Sequence, residues 1–310
     1  MILITGSTGL VGRRLVARAA DRQLVCLVRP APIHRQFEPG VSVRVVSADV
    51  DDLPALRMAM HGVTSIVHLA ALSSPVDGRS IDSVNINGTR NVIEAAQEVG
   101  VRRLVFVSPI GADPHSAYAY LRSKGQAEEL IRASGLDCTI VQPSAVYGDG
   151  DSWTMLMAMG LHAIPFVFPI PGDGRSRMQP LYVDDMAECL VRCLDNPEMI
   201  GKTMQVGGPQ QLSLDEVVSE IMRACGLHKR RRYLSMPAAR SLARVCQRIL
   251  GRAPFSEAML DLLMVSRTTA LDSVSFHFGF QPARMAESLD YLSKRLPWRR
   301  MFFQHLTARA

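Results

Sequence analysis

Met1-Ile-Leu-Ile-Thr-Gly-Ser-Thr-Gly-Leu-Val-Gly12 opens the chain, and every later segment is placed by its relation to this stretch. Ile2, Leu3 and Ile4 have the character of a short buried strand, Gly6, Gly9 and Gly12 read as a tight turn, and Leu10 to Ala20 as the helix that follows. The three glycines differ in what they permit. Gly6 allows the sharp turn, Gly9 lets the backbone approach a pyrophosphate, and Gly12 lets helix and strand pack closely. The free N–H groups and positive dipole end of the helix then face the phosphates. Ser7, Thr8, Leu10 and Val11 therefore join the three glycines as candidate cofactor contacts.

Working outward, Gln23 to Arg29 has the length and apolar content of a second parallel strand, whose end stands beside the adenosine ribose of a nucleotide bound at the first turn. A site for NAD places Asp or Glu there to accept from the ribose 2′-hydroxyl, whereas Arg29 offers a planar cation to a 2′-phosphate, with Arg13 or Arg14 able to help. This predicts NADP(H) over NAD(H). Pro30 to Gly40 is loop-like, and Val41 to Val46 alternates as a third strand. At its carboxyl end, Asp49 and Val50 suit an adenine amino group and ring; an Asx-type start for a helix over Leu53 to Met60 is the equal alternative.

Thr64 to Ala71 is the fourth strand, ending in Ala70 and Ala71, small residues that suit a backbone passing close to a dinucleotide. His68 within it reads as a core or strand-pair histidine. Ser80 to Val99 carries a helical apolar stripe ended by Gly100, Arg102 to Ser108 is a fifth strand, and Asp137 to Gln142 a sixth. Strand and helix alternate throughout. With right-handed crossovers this gives an α/β fold with a Rossmann-type, doubly wound parallel sheet, and a ligand crevice at the carboxyl ends of the strands.

Between the fifth and sixth strands, Tyr120 and Lys124 open a helix one turn apart, so both side chains lie on one face. An ammonium beside a phenol favours phenolate, and a phenol of lowered pKa suits proton transfer at a carbonyl. The same lysine can hydrogen-bond a nicotinamide ribose.

The chain has 310 residues, enough for a nucleotide domain with a smaller lobe and a sizeable core. Its six cysteines show no CxxC or Cys/His spacing, so no metal site is expected and a reducing compartment is. No charged and apolar leader precedes the first strand, and a cytoplasmic location follows as an expectation. The net charge of +6 is uneven: Lys229 to Arg252 holds eight basic residues and no acid, and Lys294 to the end five and no acid. The remainder is net acidic, which argues against a nucleic-acid partner. Met155 to Phe168 is apolar and methionine-rich, suiting either core or an adaptable wall for a greasy substrate. Residues 228 to 252 and the segment Pro297 to Phe303 are basic and apolar together, suiting an anionic membrane surface, a protein partner, or a solvated face.

Thr5-Gly-Ser-Thr-Gly-Leu-Val-Gly12, His68-Leu-Ala-Ala71, Val84-Asn-Ile-Asn-Gly-Thr-Arg-Asn91, Tyr120 to Lys124, Val141-Gln-Pro-Ser-Ala-Val-Tyr-Gly148 and Gln179-Pro-Leu-Tyr-Val-Asp-Asp185 together resemble the short-chain dehydrogenase/reductase superfamily in its extended and atypical branches. Ser108-Pro-Ile-Gly-Ala-Asp113, Tyr120 to Lys124 and Gln179 to Asp185 look most like the group around the nucleotide-binding accessory subunit of respiratory complex I. The resemblance implies a Rossmann domain over residues 1–148 with 179–206 returning to it, and a smaller, mostly helical substrate lobe over 149–178 and 207–310. It implies Tyr120 as general acid/base, Lys124 as its partner, and Pro143 to Val146 near the nicotinamide. Active relatives carry a serine just after the fifth strand; here Ser108 stands one or two residues early, with Pro109 and Ile110 at the expected place and Ser116 as a substitute. The functions implied are an NADP(H)-dependent oxidoreductase on an apolar carbonyl, a non-catalytic NADPH-binding accessory subunit, or a nucleotide-sugar epimerase or dehydratase. Substrate identity and oligomeric state are not written in these residues.

Overall fold

Seven strands, all parallel to their neighbours, form the central sheet of the computed structural model. The structure describes residues 1–29, 37, 41–250, 257–294 and 296–307; the expected loop over residues 30–40, apart from Phe37, and Arg252, Arg295 and Arg309 lie outside the described residues. In chain order the elements around the sheet are β1 (Ile2–Thr5), α1 (Leu10–Arg18), β2 (Leu24–Val28), β3 (Val43–Ser47), α2 (Leu53–Ala59), β4 (Ser65–His68), α3 (Gly88–Val99), β5 (Arg103–Val107), α4 (Ala119–Ala133), β6 (Asp137–Pro143), α5 (Val183–Asp195) and β7 (Thr203–Val206). The strand order is β7-β6-β5-β4-β1-β2-β3. It reverses between β1 and β4, so a crevice opens at the carboxyl ends of those two strands, where ligands of doubly wound sheets bind.

The apolar runs dictate this arrangement. Every residue of β1 and β2 is buried, and Leu3, Val25, Ile66 and Leu104 are fully enclosed, as a sheet covered on both faces requires. β3 is an edge strand and shows it, with Val45 half-exposed. α1 and the turn after it meet α5 through three ion pairs: Arg14–Asp184 at 3.2 Å and Arg18–Glu188 at 2.7 Å from the helix, and Arg22–Asp195 at 2.7 Å from the turn. Partly exposed pairs contribute little stability one by one, but three in line fix the register of the two helices.

The helix expected over Ser80 to Val99 departs from a plain α-helix, because its first part, Ser83–Asn87, is a π-helical turn. Where this turn meets α3 the packing is close: a Cβ on Gly88 would lie 2.5 Å from Val50 Cγ2, so the start of α3 lies against the segment after β3. The wider turn brings Asn85 fully inside. Gly100, at φ +84°, ends α3 by donating its N–H to Ala96 O.

The chain divides into two compact units. The first holds the sheet and comprises Met1–Pro143, Val183–Val206 and Val274–Phe280; the second comprises Ser144–Tyr182, Gly207–Ser273 and Gln281–Ala310. In the second, smaller lobe, helices Thr154–Ala163, Leu214–Ala224, Met236–Leu250 and Trp298–Thr307 accompany three two-stranded sheets. Ser213 and Glu216 form the capping box that starts Leu214–Ala224. Of the methionine-rich run, Met157, Leu161 and Phe168 are core, while Phe166 is exposed in left-handed backbone at φ +59°. Along Met236–Leu250, Ala239 and Ala243 are buried, whereas Leu242, Val245 and Ile249 face outward. Among the described residues no helix is long and apolar enough to cross a membrane.

Candidate functional site

The three glycines of the first turn are not equivalent. A Cβ on Gly6, which stands at φ +68°, would fall 2.7 Å from Ala70 N, and one on Gly12 would fall 2.2 Å from Gly6 O. Both are demanded by the fold's own packing. Gly9 is exposed, has an ordinary φ of −73°, and a Cβ there would meet Gly6 O alone, at 3.2 Å. Its missing side chain keeps open the space in front of α1, whose first turn has no side-chain cap, so the N–H groups of Leu10, Val11 and Gly12 are available there. Ser7 is fully buried and donates its hydroxyl to Leu27 O at 3.1 Å, which leaves only its backbone for a ligand. An open cradle lined by helix-start N–H groups fits a pyrophosphate.

Beside the cradle runs a buried chain of hydrogen bonds whose direction is fixed. Thr5 Oγ1 accepts from Leu69 N and Ala70 N, both at 3.2 Å, so its one proton goes to His68 Nδ1 at 2.6 Å. His68 Nε2 then carries the ring proton and donates it to Thr89 Oγ1 at 3.0 Å, which donates to Asn85 O at 2.6 Å. Burial, then the nearby Lys124, pull the His68 pKa down to about 3, so the ring stays neutral. His68 locks β4 to β1 and to the helix layer. Ala70 is half-buried and Ala71 exposed at the mouth of this region.

Asn85 continues the network toward α4. Its side chain accepts from Leu72 N at 2.8 Å and donates to Leu72 O and Ser123 Oγ, both at 2.9 Å; Ser123 in turn donates to Tyr120 O at 2.9 Å. The Tyr120 turn is thus tied through Ser123 and Asn85 to Leu72. Tyr120 is half-buried, whereas Lys124 is buried with its Nζ 4.0 Å from the centre of the Phe106 ring. Burial brings the Lys124 pKa down to about 7, against the opposing pull of Glu128. Glu128 is itself held by Arg132 and Gln142, both at 2.7 Å.

The loop after β5 lies tight against α4, because a Cβ on Gly125 would fall 2.3 Å from Asp113 C and Pro114 N. Ser108 is fully buried and its Oγ has no hydrogen-bond partner among the described residues; Ile110 is buried and donates its N–H to Pro143 O at 3.0 Å. Ser116 Oγ accepts from Tyr118 N at 3.2 Å, which puts it in the lead-in to α4.

Arg29, at the end of β2, is half-exposed, with its guanidinium 4.0 Å from the Asp77 carboxylate. Asp49 is paired with Arg79 at 2.5 Å and accepts from Val50 N at 2.7 Å, and the Val50 side chain is buried against Gly88. Pro143 ends β6 in the first unit; Val146, in the second, belongs to a two-residue strand paired with Leu181–Tyr182. Asn85, Thr5 and Thr89 are the site-region residues to which the sequence alone assigns no role. The signal that points to Asn85 is a polar residue inside the apolar stripe of an expected helix.

Comparison with known proteins adds to this geometry. A family model described as NAD(P)H-binding matches residues 6–197. A ceramide reductase from Caulobacter vibrioides is 34% identical over 200 residues, covering 64% of this chain and 62% of that protein. Subunit 9 of the NADH dehydrogenase [ubiquinone] 1 alpha subcomplex from Arabidopsis thaliana is 27% identical over 262 residues, covering 81% of this chain and 64% of that protein. The chain thus spans less than two thirds of either relative. Among solved structures, MoeE5 in complex with UDP-glucuronic acid and NAD superposes with a TM-score of 0.72 at 22% identity over 97% of this chain and 99% of that one, a likeness of fold.

The expected preference for NADP(H) is corrected by these structures. MoeE5, a dTDP-glucose 4,6-dehydratase and two epimerases of the same fold were captured with NAD. The physical reason lies in Arg29, which does not stand as an uncompensated cation: the Asp77 carboxylate beside it opposes the charge of a 2′-phosphate.

Proposed function

The chain belongs to the NAD(P)H-binding family, and from that premise we propose that it is an NAD(H)-dependent enzyme of the epimerase/dehydratase kind, acting on a secondary hydroxyl of a nucleotide-sugar-like molecule. The cradle at Gly9 and the uncapped start of α1 bind the pyrophosphate. A bound nicotinamide supplies the chemistry of hydride exchange with the carbinol carbon. Tyr120 takes the hydroxyl proton as that hydride leaves and gives it back when the carbonyl is reduced. Lys124 works from behind: protonated, it stabilises the phenolate, and its buried place over Phe106 shields that charge from water. The Asn85–Ser123 bridge holds the backbone of the Tyr120 turn and keeps the phenol in position.

The observation that carries this reading is the burial of Lys124 one helical turn from half-buried Tyr120, in a chain whose Gly9 is exposed and pressed less tightly by its neighbours than Gly6 or Gly12. The dinucleotide complexes of dehydratase and epimerase fold relatives favour this chemistry over a free-standing reductase of an apolar carbonyl. A second reading, a dinucleotide-binding subunit without turnover, draws on Ile110 standing where active relatives place a serine and on the enclosed Ser108 hydroxyl. Product analysis of nucleotide sugars incubated with the NAD-loaded chain separates the two, because the proposed cycle returns its hydride and leaves no net reduced nicotinamide. Turnover that falls about a hundredfold or more in Tyr120→Phe, with unchanged melting, supports the enzyme. Dinucleotide binding with no turnover on any nucleotide sugar supports the subunit.

A further inference from the structure

The segment between β4 and the π-helical turn folds back on itself as a small hairpin. Val76 and Arg79 pair as an antiparallel bridge, with Val76 N to Arg79 O at 3.2 Å and Arg79 N to Val76 O at 2.9 Å. The two residues between them, Asp77 and Gly78, have φ of +51° and +74°. This is a two-residue hairpin turn with positive φ at both central positions, and Asp is among the few side chains that tolerate that backbone. The hairpin is anchored at both ends: Leu72 is clasped by the Asn85 side chain, and Arg79 is locked to Asp49 at the end of β3. Asp77 is thereby held in left-handed backbone with its carboxylate 4.0 Å from Arg29 Nη1, at the end of β2.

An exposed ion pair of that length contributes little to folding, so stability does not explain the arrangement. Its chemistry does point to a ligand. Recognition of a ribose 2′-hydroxyl takes a carboxylate near the end of the second strand, and here that strand ends in a cation, while the acid at the end of β3 is committed to Arg79. The turn brings a carboxylate to the place from another part of the chain. Both side chains of the pair are at least half-exposed and therefore accessible to a nucleotide.

We propose that Asp77 determines dinucleotide choice: its carboxylate accepts the ribose 2′-hydroxyl and repels a 2′-phosphate, with Arg29 as its counter-ion. The inference rests on the proposed dinucleotide site and narrows it to one residue. It is tested by titrating NADH and NADPH into the full chain, read by nicotinamide fluorescence and thermal shift, for wild type, Asp77→Asn and Arg29→Ala. Asparagine keeps the left-handed turn and removes the charge.

The expected result is tighter NADH binding by wild type and a shift of the affinity ratio toward NADPH by about tenfold or more in Asp77→Asn, the size of one well-placed charged hydrogen bond. Arg29→Ala is expected to move the ratio the other way, because Asp77 then faces a 2′-phosphate unopposed. An unchanged ratio in Asp77→Asn, or an Arg29→Ala variant that loses NADH as steeply as NADPH, overturns the role of Asp77 and leaves the dinucleotide site standing. Failure of wild type to bind either nucleotide overturns both.

Discussion

In the proposed site the glycine turn and the start of α4 work by opposite means. At the turn the working groups are backbone N–H, side chains are excluded, and the geometry is set by contacts of Gly6 and Gly12 with their own neighbours. At α4 the working groups are side chains, and their properties come from burial: Lys124 is enclosed, lies over Phe106 and is held near its titration point. A site made of absent atoms is sensitive to added volume. One made of desolvated charge is sensitive to the loss or gain of a proton.

The largest expected effect breaks the comparison at its first member. Gly12→Val places a Cβ 2.2 Å from Gly6 O, and the chain is expected to lose about 3 kcal/mol or more, seen as loss of a cooperative melt. Gly9→Ala, whose Cβ meets its nearest atom at 3.2 Å, is expected to melt within a few degrees of wild type while losing about tenfold or more in dinucleotide affinity. If both variants melt alike, the division between packing glycine and ligand glycine is wrong.

Next comes the second member. Lys124→Met is expected to lower turnover by roughly 10²–10⁴-fold without weakening the fold, since an apolar chain replaces a desolvated ammonium. The pH dependence gives a second readout. The folded-state pKa of Lys124, about 7, lies below the ordinary 10.5, so between these values the unfolded chain holds a proton that the folded chain has released. Stability contributed by this group therefore rises with pH across that window. Melting curves of wild type and Lys124→Met from pH 7 to 9 should converge as pH rises; parallel curves would show that Lys124 keeps its proton when folded.

The smallest effect sharpens the contrast. Ser108→Ala removes a buried hydroxyl that has no partner among the described residues, and a gain in stability of up to about 1 kcal/mol is expected by chemical denaturation. A loss would mean that this hydroxyl is satisfied in solution, and would return Ser108 to the set of working groups.

How far the sequence is legible follows the same contrast. The parallel sheet can be read from β1, β2 and the alternation after them, because apolar period and glycine spacing are local signals. The π-helical turn at Ser83–Asn87 is not readable, and neither is the close approach of Gly88 to Val50 beside it, a contact between residues far apart in sequence. Arg29 reads as an unopposed cation because its counter-charge, Asp77, comes from a distant turn. Tyr120 and Lys124 are legible as a pair at helical spacing; the burial of one and the half-burial of the other are not, because burial belongs to the fold.

The ion-pair ladder along α1 and the turn after it also bears on how the molecule is made. Its rungs Arg18–Glu188 and Arg22–Asp195 join positions 170 and 173 residues apart. A ribosome delivering roughly 5–20 residues per second therefore presents α1 on the order of ten to thirty-five seconds before the helix it docks against. From the synthesis of β6 until β7 emerges some sixty residues later, β6 is an open edge, and an open edge of a parallel sheet is a template for the wrong neighbour. Synthesis of the second unit's first segment, Ser144–Tyr182, falls within the same interval, so the nucleotide half of the nascent chain closes only after part of the other lobe is already outside the ribosome.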